Sequence, residues 1–217
     1  MYRERIREYL QVYLVMDISQ GAASVKLAED AIAGGVTLIQ LREKKATMTE
    51  VLAWGKELRE LCRRKQIPFV VNDRIDLALL LDADGVHVGQ DDIPGLEARK
   101  LLGSDRIVGI SAGTMEEAEI AMAQGADYLG VGAIYSTLTK GDAGLPIGTE
   151  LITRIQERWS DIPLVGIGGI TADNAVPVIA AGADGVAVVS AITKAASPKQ
   201  AAERLKLTVN KGFLDKK

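Results

Sequence analysis

The chain of 217 residues is 47% hydrophobic and 25% charged with a formal net charge of −3, an ordinary globular balance for one domain. Its single cysteine excludes an internal disulfide framework, and the absence of a basic cluster beyond Arg63-Arg64-Lys65 excludes a dedicated nucleic-acid surface. No apolar run approaches the ~20 residues that span a bilayer, and the charged start Met1-Tyr2-Arg3-Glu4-Arg5 lacks the apolar core of a signal peptide, so a soluble cytoplasmic protein is expected.

In chain order, residues 2–10 read as a short extra helix, followed by a branched apolar strand at Val12–Met16. A helix follows, with Ser24 as its expected N-cap. The segment 34–41 then begins with small, turn-forming residues and ends in a short apolar run, and segments starting at residues 82, 125 and 182 repeat that pattern, with glycines or aspartates suited to the helix end and tight turn. Between the repeats lie a helix over Val51–Arg64, capped by Thr49, and strands at Phe69–Asn72, Ile107–Ser111 and Leu164–Gly168. A further helix covers Met115–Gln124 with Thr114 as its cap, and the tail Lys211–Lys217 is expected to fray. Cys62 falls in a helical segment as an inert, partly buried thiol. With aromatics at only 4%, Val, Ile, Leu and Ala must fill the core.

Each repeat spans about two strand–helix units, so four repeats make eight strands. Alternating strands and helices imply a parallel sheet with right-handed crossovers. An open doubly wound sheet is the alternative, but eight regular units in so short a chain favour closure. The expected architecture is a single-domain (β/α)₈ TIM barrel over residues 1–217, whose chemistry belongs at the C-terminal ends of its strands.

Polar residues crowd those ends. After the second strand, period-two alternation puts Gln40, Arg42 and Lys44 on one face and Leu41 on the other. A guanidinium and an ammonium together suit a polyphosphate, although a solvated strand end with a structural ion pair would read the same way. Asp73 and Asp92 follow the third and fourth strands, close enough in a sheet for their carboxylates to share one cation such as Mg²⁺. Helix capping is the alternative for these acids, and Asp91 fits it best. The long polar segment after the sixth strand supplies Thr137, Thr139 and Lys140, while Gly168-Gly169 and Ser190 follow the seventh and eighth. Glycines there let backbone N–H groups approach a phosphate. His87, the only histidine, lies between Val86 and Val88 inside a strand and reads as a packed residue rather than a general base. A site without an evident base suits a reaction driven by departure of a metal-bound leaving group.

Gln40-Leu41-Arg42-Glu43-Lys44, Asn72-Asp73-Arg74, His87-Val88-Gly89-Gln90-Asp91-Asp92, Ser111-Ala112, Thr137-Leu138-Thr139-Lys140, Gly168-Gly169-Ile170 and Val189-Ser190-Ala191-Ile192 occur in register over essentially the whole chain. Together they resemble the thiamine-phosphate synthase family. That resemblance implies a transferase coupling hydroxymethylpyrimidine diphosphate with a (carboxy)hydroxyethylthiazole phosphate to give thiamine monophosphate and pyrophosphate. Diphosphate leaves first in this family, and the thiazole nitrogen traps the resulting cation. Carried over, Gln40, Leu41, Arg42, Glu43, Lys44, Asn72, Ser111 and Lys140 hold the pyrimidine diphosphate, with Arg42, Lys44, Ser111 and Lys140 catalytic. Asp73 and Asp92 hold Mg²⁺, and Thr137, Leu138, Thr139, Gly169, Val189 and Ser190 hold the thiazole phosphate. Ser136 departs from the proline common before the first threonine.

Thiazole tautomerases share this pattern but are expected to use a histidine on the sixth strand, where Gly130-Val131-Gly132-Ala133 has none. A non-catalytic sensor of thiamine phosphate would have no need for the full set of charges that ionise a diphosphate. The partners implied are two phosphorylated small molecules, without nucleic acid or membrane, and a homodimer is the commonest assembly for such an enzyme.

Overall fold

The computed structural model describes residues 2–137 and 145–215. A turn of 3₁₀ helix at Arg3–Arg5 and α1 (Ile6–Tyr9) precede β1 (Val12–Met16), so the short leading helix is present. Strand and helix then alternate: α2 (Ala22–Ala33), β2 (Leu38–Leu41), α3 (Met48–Lys65), β3 (Phe69–Asn72), α4 (Ile75–Leu80), β4 (Gly85–Val88), α5 (Gly95–Leu102) and β5 (Ile107–Ala112). The second half contains α6 (Met115–Ala123), β6 (Tyr128–Val131), α7 (Glu150–Arg158), β7 (Leu164–Ile167), α8 (Ala175–Ala180), β8 (Gly185–Val188), α9 (Ser190–Thr193) and α10 (Pro198–Leu214). All neighbouring strands pair in parallel, and β8 returns to β1 to close the barrel. Closure settles the choice against an open sheet.

Alternation along each strand sorts the core into two compartments. Val12, Leu14, Ile39, Leu41, Val71, Val86 and Val88 pack outward against the helices, while Tyr13, Val15, Leu38, Val70, Ile107, Tyr128 and Val165 fill the barrel interior. Among the described residues, no helix is long and apolar enough to cross a membrane.

The four sequence repeats have a common physical task at the N-terminal end of the barrel. Thr37, Asp84, Asp127 and Asp184 each donate a backbone N–H to the preceding strand, at Val12, Phe69, Val108 and Leu164 respectively. Each side chain also accepts the N–H of that same residue, at 2.8–3.0 Å. Every repeat therefore locks one strand to the one before it. The aspartates are further tied to arginines, Asp84 to Arg59 at 3.0 Å, Asp127 to Arg3 and Arg99 at 2.6 Å each, and Asp184 to Arg7 at 2.7 Å. Asp127 is 8% exposed, so Asp127→Ala leaves Val108 N–H and two guanidinium groups without their shared acceptor. The expected cost is about 3 kcal/mol, a fall of roughly 6–12 °C in Tm by thermal melting, with substrate KM unchanged because the lock lies far from the catalytic rim.

Helix boundaries correct three expectations. Thr47, not Thr49, caps α3: its hydroxyl accepts Glu50 N–H and Glu50 answers at Thr47 N–H, 2.9 Å away, in a capping box legible as Thr47-x-x-Glu50. Ser24 lies inside α2, whose cap is Gly21 at φ +55°, and its hydroxyl instead accepts Gln20 N–H. The tail does not fray at Lys211, since α10 runs to Leu214 with Val209 and Gly212 buried and Gly212 pressed against Ile179. Thr114 caps α6 as expected, and Cys62 is fully buried with burial pushing its thiol up to about 12, an inert group.

Candidate active site at the C-terminal rim

β2, β3, β4 and β5 are consecutive neighbours, and their ends gather the acidic and basic residues into one arc. Lys44 Nζ lies 3.6 Å from Asp73 Oδ2. Asp73 hydrogen-bonds Asp92 side chain to side chain, and Asp92 Oδ2 also accepts Gly89 N–H at 2.8 Å. The backbone of Asp73 is held in the left-handed region, φ +61°, by its N–H bond to the His87 carbonyl at 2.9 Å. Burial first, and then the Asp92 carboxylate, push the Asp73 carboxyl above the usual range, with Lys44 and Arg42 opposing them.

Two carboxyls pressed together in this way fit a shared divalent cation completed by phosphate oxygens and water. They are a pair and no more: among the described residues no group of three or more His, Cys, Asp or Glu could hold a metal. The raised Asp73 carboxyl means that the folded chain retains its proton to higher pH than the unfolded chain does. The Asp73 contribution to stability is therefore fullest at low pH and is lost as pH rises through the folded value. Without added cation, Asp73→Asn should melt higher than the parent at about pH 8, and that gain should vanish towards about pH 3. Asparagine also suits φ +61°, so the pH-dependent part of the gain is diagnostic, read from melts across the range. A gain that does not change with pH would refute the assignment.

Within the run 40–44 the residues diverge as alternation requires. Leu41 packs outward against Gly55 of α3, and Gln40 is buried in the barrel interior. The Glu43 carboxylate is turned onto the backbone, accepting N–H bonds from Ile18, Lys45 and Ala46 at 3.2, 2.7 and 3.1 Å. It ties the loop after β1 to the loop after β2, so Leu41 and Glu43 shape the site while Gln40, Arg42 and Lys44 remain as the polar set. Asn72 ends β3 opposite His87, and Ser111 on β5 accepts Gln90 Nε2 at its carbonyl, 2.6 Å away. Asp91 is exposed and caps nothing, because α5 begins after Pro94.

On the other side of the mouth, Gly168 and Gly169 follow β7 at φ +101° and +64°. A Cβ on Gly169 would sit 2.5 Å from the Ser136 carbonyl, so glycine lets this turn press against the segment after β6. Asn174 Nδ2 holds the Gly169 carbonyl at 3.0 Å, and Tyr135 Oη holds the Asn174 carbonyl at 3.0 Å. Val189 and Ser190 follow β8, the neighbour of β7, with Val189 at the cap of α9. Thr137 follows β6 among the described residues; Leu138, Thr139 and Lys140 lie outside them.

The interior of the barrel links Gln40, His87 and Ser111 through two tyrosines that the sequence left unremarked. His87 is packed there, as expected, but both ring nitrogens are engaged: Nδ1 with Tyr128 Oη and Nε2 with Ser111 Oγ, each at 2.9 Å. Tyr128 Oη meets Tyr13 Oη at 2.9 Å, and Gln40 Nε2 donates to Tyr13 Oη. Gly109 and Gly130 make room: a Cβ would lie 2.1 Å from Tyr128 Cζ and 2.8 Å from His87 Cε1, respectively. The signal was present as tyrosines at inward positions of otherwise apolar strands, with Tyr128 facing Gly109 on the neighbouring strand. A cavity of about 500 Å³ opens at the opposite, N-terminal end, but Arg59 and Arg106 there are already paired with Asp84 and Asp82. The rim is the better candidate.

Residues 12–192 match the family model described as thiamine monophosphate synthase. The thiamine-phosphate synthase of Moorella thermoacetica is 50% identical over 202 residues, covering 93% of this chain and 96% of that protein. That of Haloarcula marismortui is also 50% identical, over 206 residues, with 93% and 97% covered. Among solved structures, thiamine phosphate pyrophosphorylase from Pyrococcus furiosus superposes with a TM-score of 0.86 at 39% identity, covering 96% of this chain and 99% of that one.

Proposed function

The chain belongs to the thiamine monophosphate synthase family and is a transferase of thiamine biosynthesis, and on that premise we propose how its barrel rim divides the reaction. One barrel domain serves two phosphorylated small molecules. Gln40 and Ser111 hold the pyrimidine of hydroxymethylpyrimidine diphosphate, and Asn72, Arg42, Lys44 and Lys140 hold its diphosphate. Leu41 and Glu43 contribute through the backbone that they position. Asp73 and Asp92 would hold Mg²⁺, which when bound supplies positive charge to the departing diphosphate.

The methylene C–O bond breaks with its electron pair leaving on the diphosphate, which Arg42, Lys44 and Lys140 stabilise as its charge grows. The pyrimidinylmethyl cation left behind is trapped by the thiazole nitrogen, forming the C–N bond of thiamine monophosphate. Thr137, Leu138, Thr139, Gly169, Val189 and Ser190 hold the thiazole phosphate across the mouth. No step calls for a general base, in keeping with a rim that offers cations and a carboxyl pair. The work belongs in the cytoplasm, without nucleic acid or membrane as partner, and in a homodimer.

The observation that carries this reading is the Asp73–Asp92 contact beside Lys44, on three consecutive strand ends. Mixing both substrates with Mg²⁺ should release pyrophosphate and form thiamine monophosphate. A folded protein that binds thiamine phosphate yet never releases pyrophosphate would overturn the reading in favour of a sensor.

A further inference from the structure

Five side chains form an unbroken hydrogen-bonded chain through the barrel interior, from Gln40 on β2 through Tyr13 on β1, Tyr128 on β6 and His87 on β4 to Ser111 on β5. Each inner link carries one mobile proton: a phenol has a single O–H, and a neutral imidazole a single N–H. Burial pushes both phenols well above their usual range, so both remain protonated and able to donate. A link that accepts on one side must therefore donate on the other.

Gln40 Nε2 donates to Tyr13, so Tyr13 donates to Tyr128, and Tyr128 donates to His87 Nδ1. His87 then carries its proton on Nε2 and donates to Ser111 Oγ, whose own proton is turned away from the ring. The two ends, near the C-terminal ends of β2 and β5, thus have opposite characters. Gln40 offers its carbonyl Oε1, an acceptor, and Ser111 offers an O–H donor. Reversing either end requires every link to reverse.

We propose that Tyr13, Tyr128 and His87 are positioning residues that lock Gln40 and Ser111 into opposite hydrogen-bonding polarity, selecting a 4-aminopyrimidine over its 4-oxo counterpart. An aminopyrimidine edge offers an N–H donor beside a ring-nitrogen acceptor and complements an acceptor–donor pair. The oxo form exchanges the two characters: its carbonyl meets the Gln40 carbonyl, like against like, and its ring N–H leaves the Ser111 proton without an acceptor there. The selectivity half rests on the assignment of Gln40 and Ser111 to the pyrimidine, whereas the relay does not.

The relay can be read in the substrate-free protein, because the chain contains one histidine. In ¹⁵N-histidine-labelled protein at about pH 8, the ring nitrogens should report the Nε2–H tautomer. In Gln40→Glu the carboxylate can only accept, so the order of donors reverses and the tautomer should switch to Nδ1–H. Adding Tyr13→Phe cuts the link and should abolish that switch. An unchanged tautomer in Gln40→Glu, or an imidazolium protonated on both nitrogens, overturns the relay. Should Gln40→Glu fail to fold, Tyr128→Phe serves instead: it removes the partner of Nδ1 while keeping the ring, and should replace the single tautomer by a mixture. Retention of a single Nε2–H form there refutes the relay equally.

Kinetics test the selectivity. Tyr128→Phe should lower kcat/KM for the aminopyrimidine diphosphate about tenfold, the size of one hydrogen bond, and reduce its preference over the oxo analogue by a similar factor. The KM for the thiazole phosphate should not change. A preference equal to that of the parent, alongside a tautomer that responds as above, leaves the relay standing and refutes the pyrimidine assignment.

Discussion

Replacing Asp92 by alanine lowers turnover by at least about 10²-fold without unfolding the barrel. Asp92 lies half-buried on the turn after β4, outside the core, yet it has two partners: it hydrogen-bonds Asp73 and accepts Gly89 N–H at 2.8 Å. Alanine removes both, and the loop contact complicates the reading. Asp92→Asn separates them, since the amide oxygen still accepts Gly89 N–H while the charge is lost. Both variants should lose about the same activity in a steady-state pyrophosphate-release assay, because the lost interaction is with charge that develops as diphosphate departs. Asp92→Asn should retain the parent melting temperature. Activity of the asparagine variant within about tenfold of the parent would mean that Asp92 serves loop geometry, and the charge argument would fail.

A large stability effect is expected at Gly109. Its missing Cβ is the space that the Tyr128 ring occupies: an added methyl would lie 2.1 Å from Cζ and 2.4 Å from Oη. The ring cannot retreat freely, because Tyr13 stacks edge-on at 6.1 Å and His87 lies at 5.4 Å between centroids. Overpacking such a site costs about 1–3 kcal/mol, and displacing the ring breaks phenol hydrogen bonds whose loss costs about 1–3 kcal/mol more. Gly109→Ala should therefore lower Tm by roughly 5–20 °C, measured by calorimetry or circular dichroism. Combining it with Tyr128→Leu, which frees the space, should recover part of that loss, so the two changes will not add. A melting temperature within about 2 °C of the parent in the single variant would mean that the ring finds another place.

These two residues mark the boundary between what could be read in the chain and what could not. Asp92 was legible. It follows an apolar strand and a glycine, in register with Asp73, Lys44 and the glycine turn after the seventh strand, and strand ends are where a barrel keeps its chemistry. Strand positions were legible for the same reason: buried parallel strands are short continuous apolar runs, and Val12–Met16 and Phe69–Asn72 lie where those runs do. Errors fell at helix ends, where several Ser and Thr residues compete for one cap and backbone dihedrals decide among them.

By itself, the sequence determined the alternation of elements, the closure implied by the fourfold repeat, and the set of polar residues at the rim. Period two says which face a side chain takes, but not which side chain it meets across the barrel. Tyr13 and Tyr128 are 115 residues apart, and only closure of β8 onto β1 brings their hydroxyls to 2.9 Å. The same is true of the repeat aspartates, which read as turn formers until the structure aimed their carboxylates at the preceding strands. The tertiary structure alone also decided that the carboxyls of Asp73 and Asp92 meet, and that Glu43 accepts backbone N–H groups of the two neighbouring loops. The physical reason is the same throughout: local periodicity fixes direction, while partners far apart in sequence are chosen by the packing that closes the barrel.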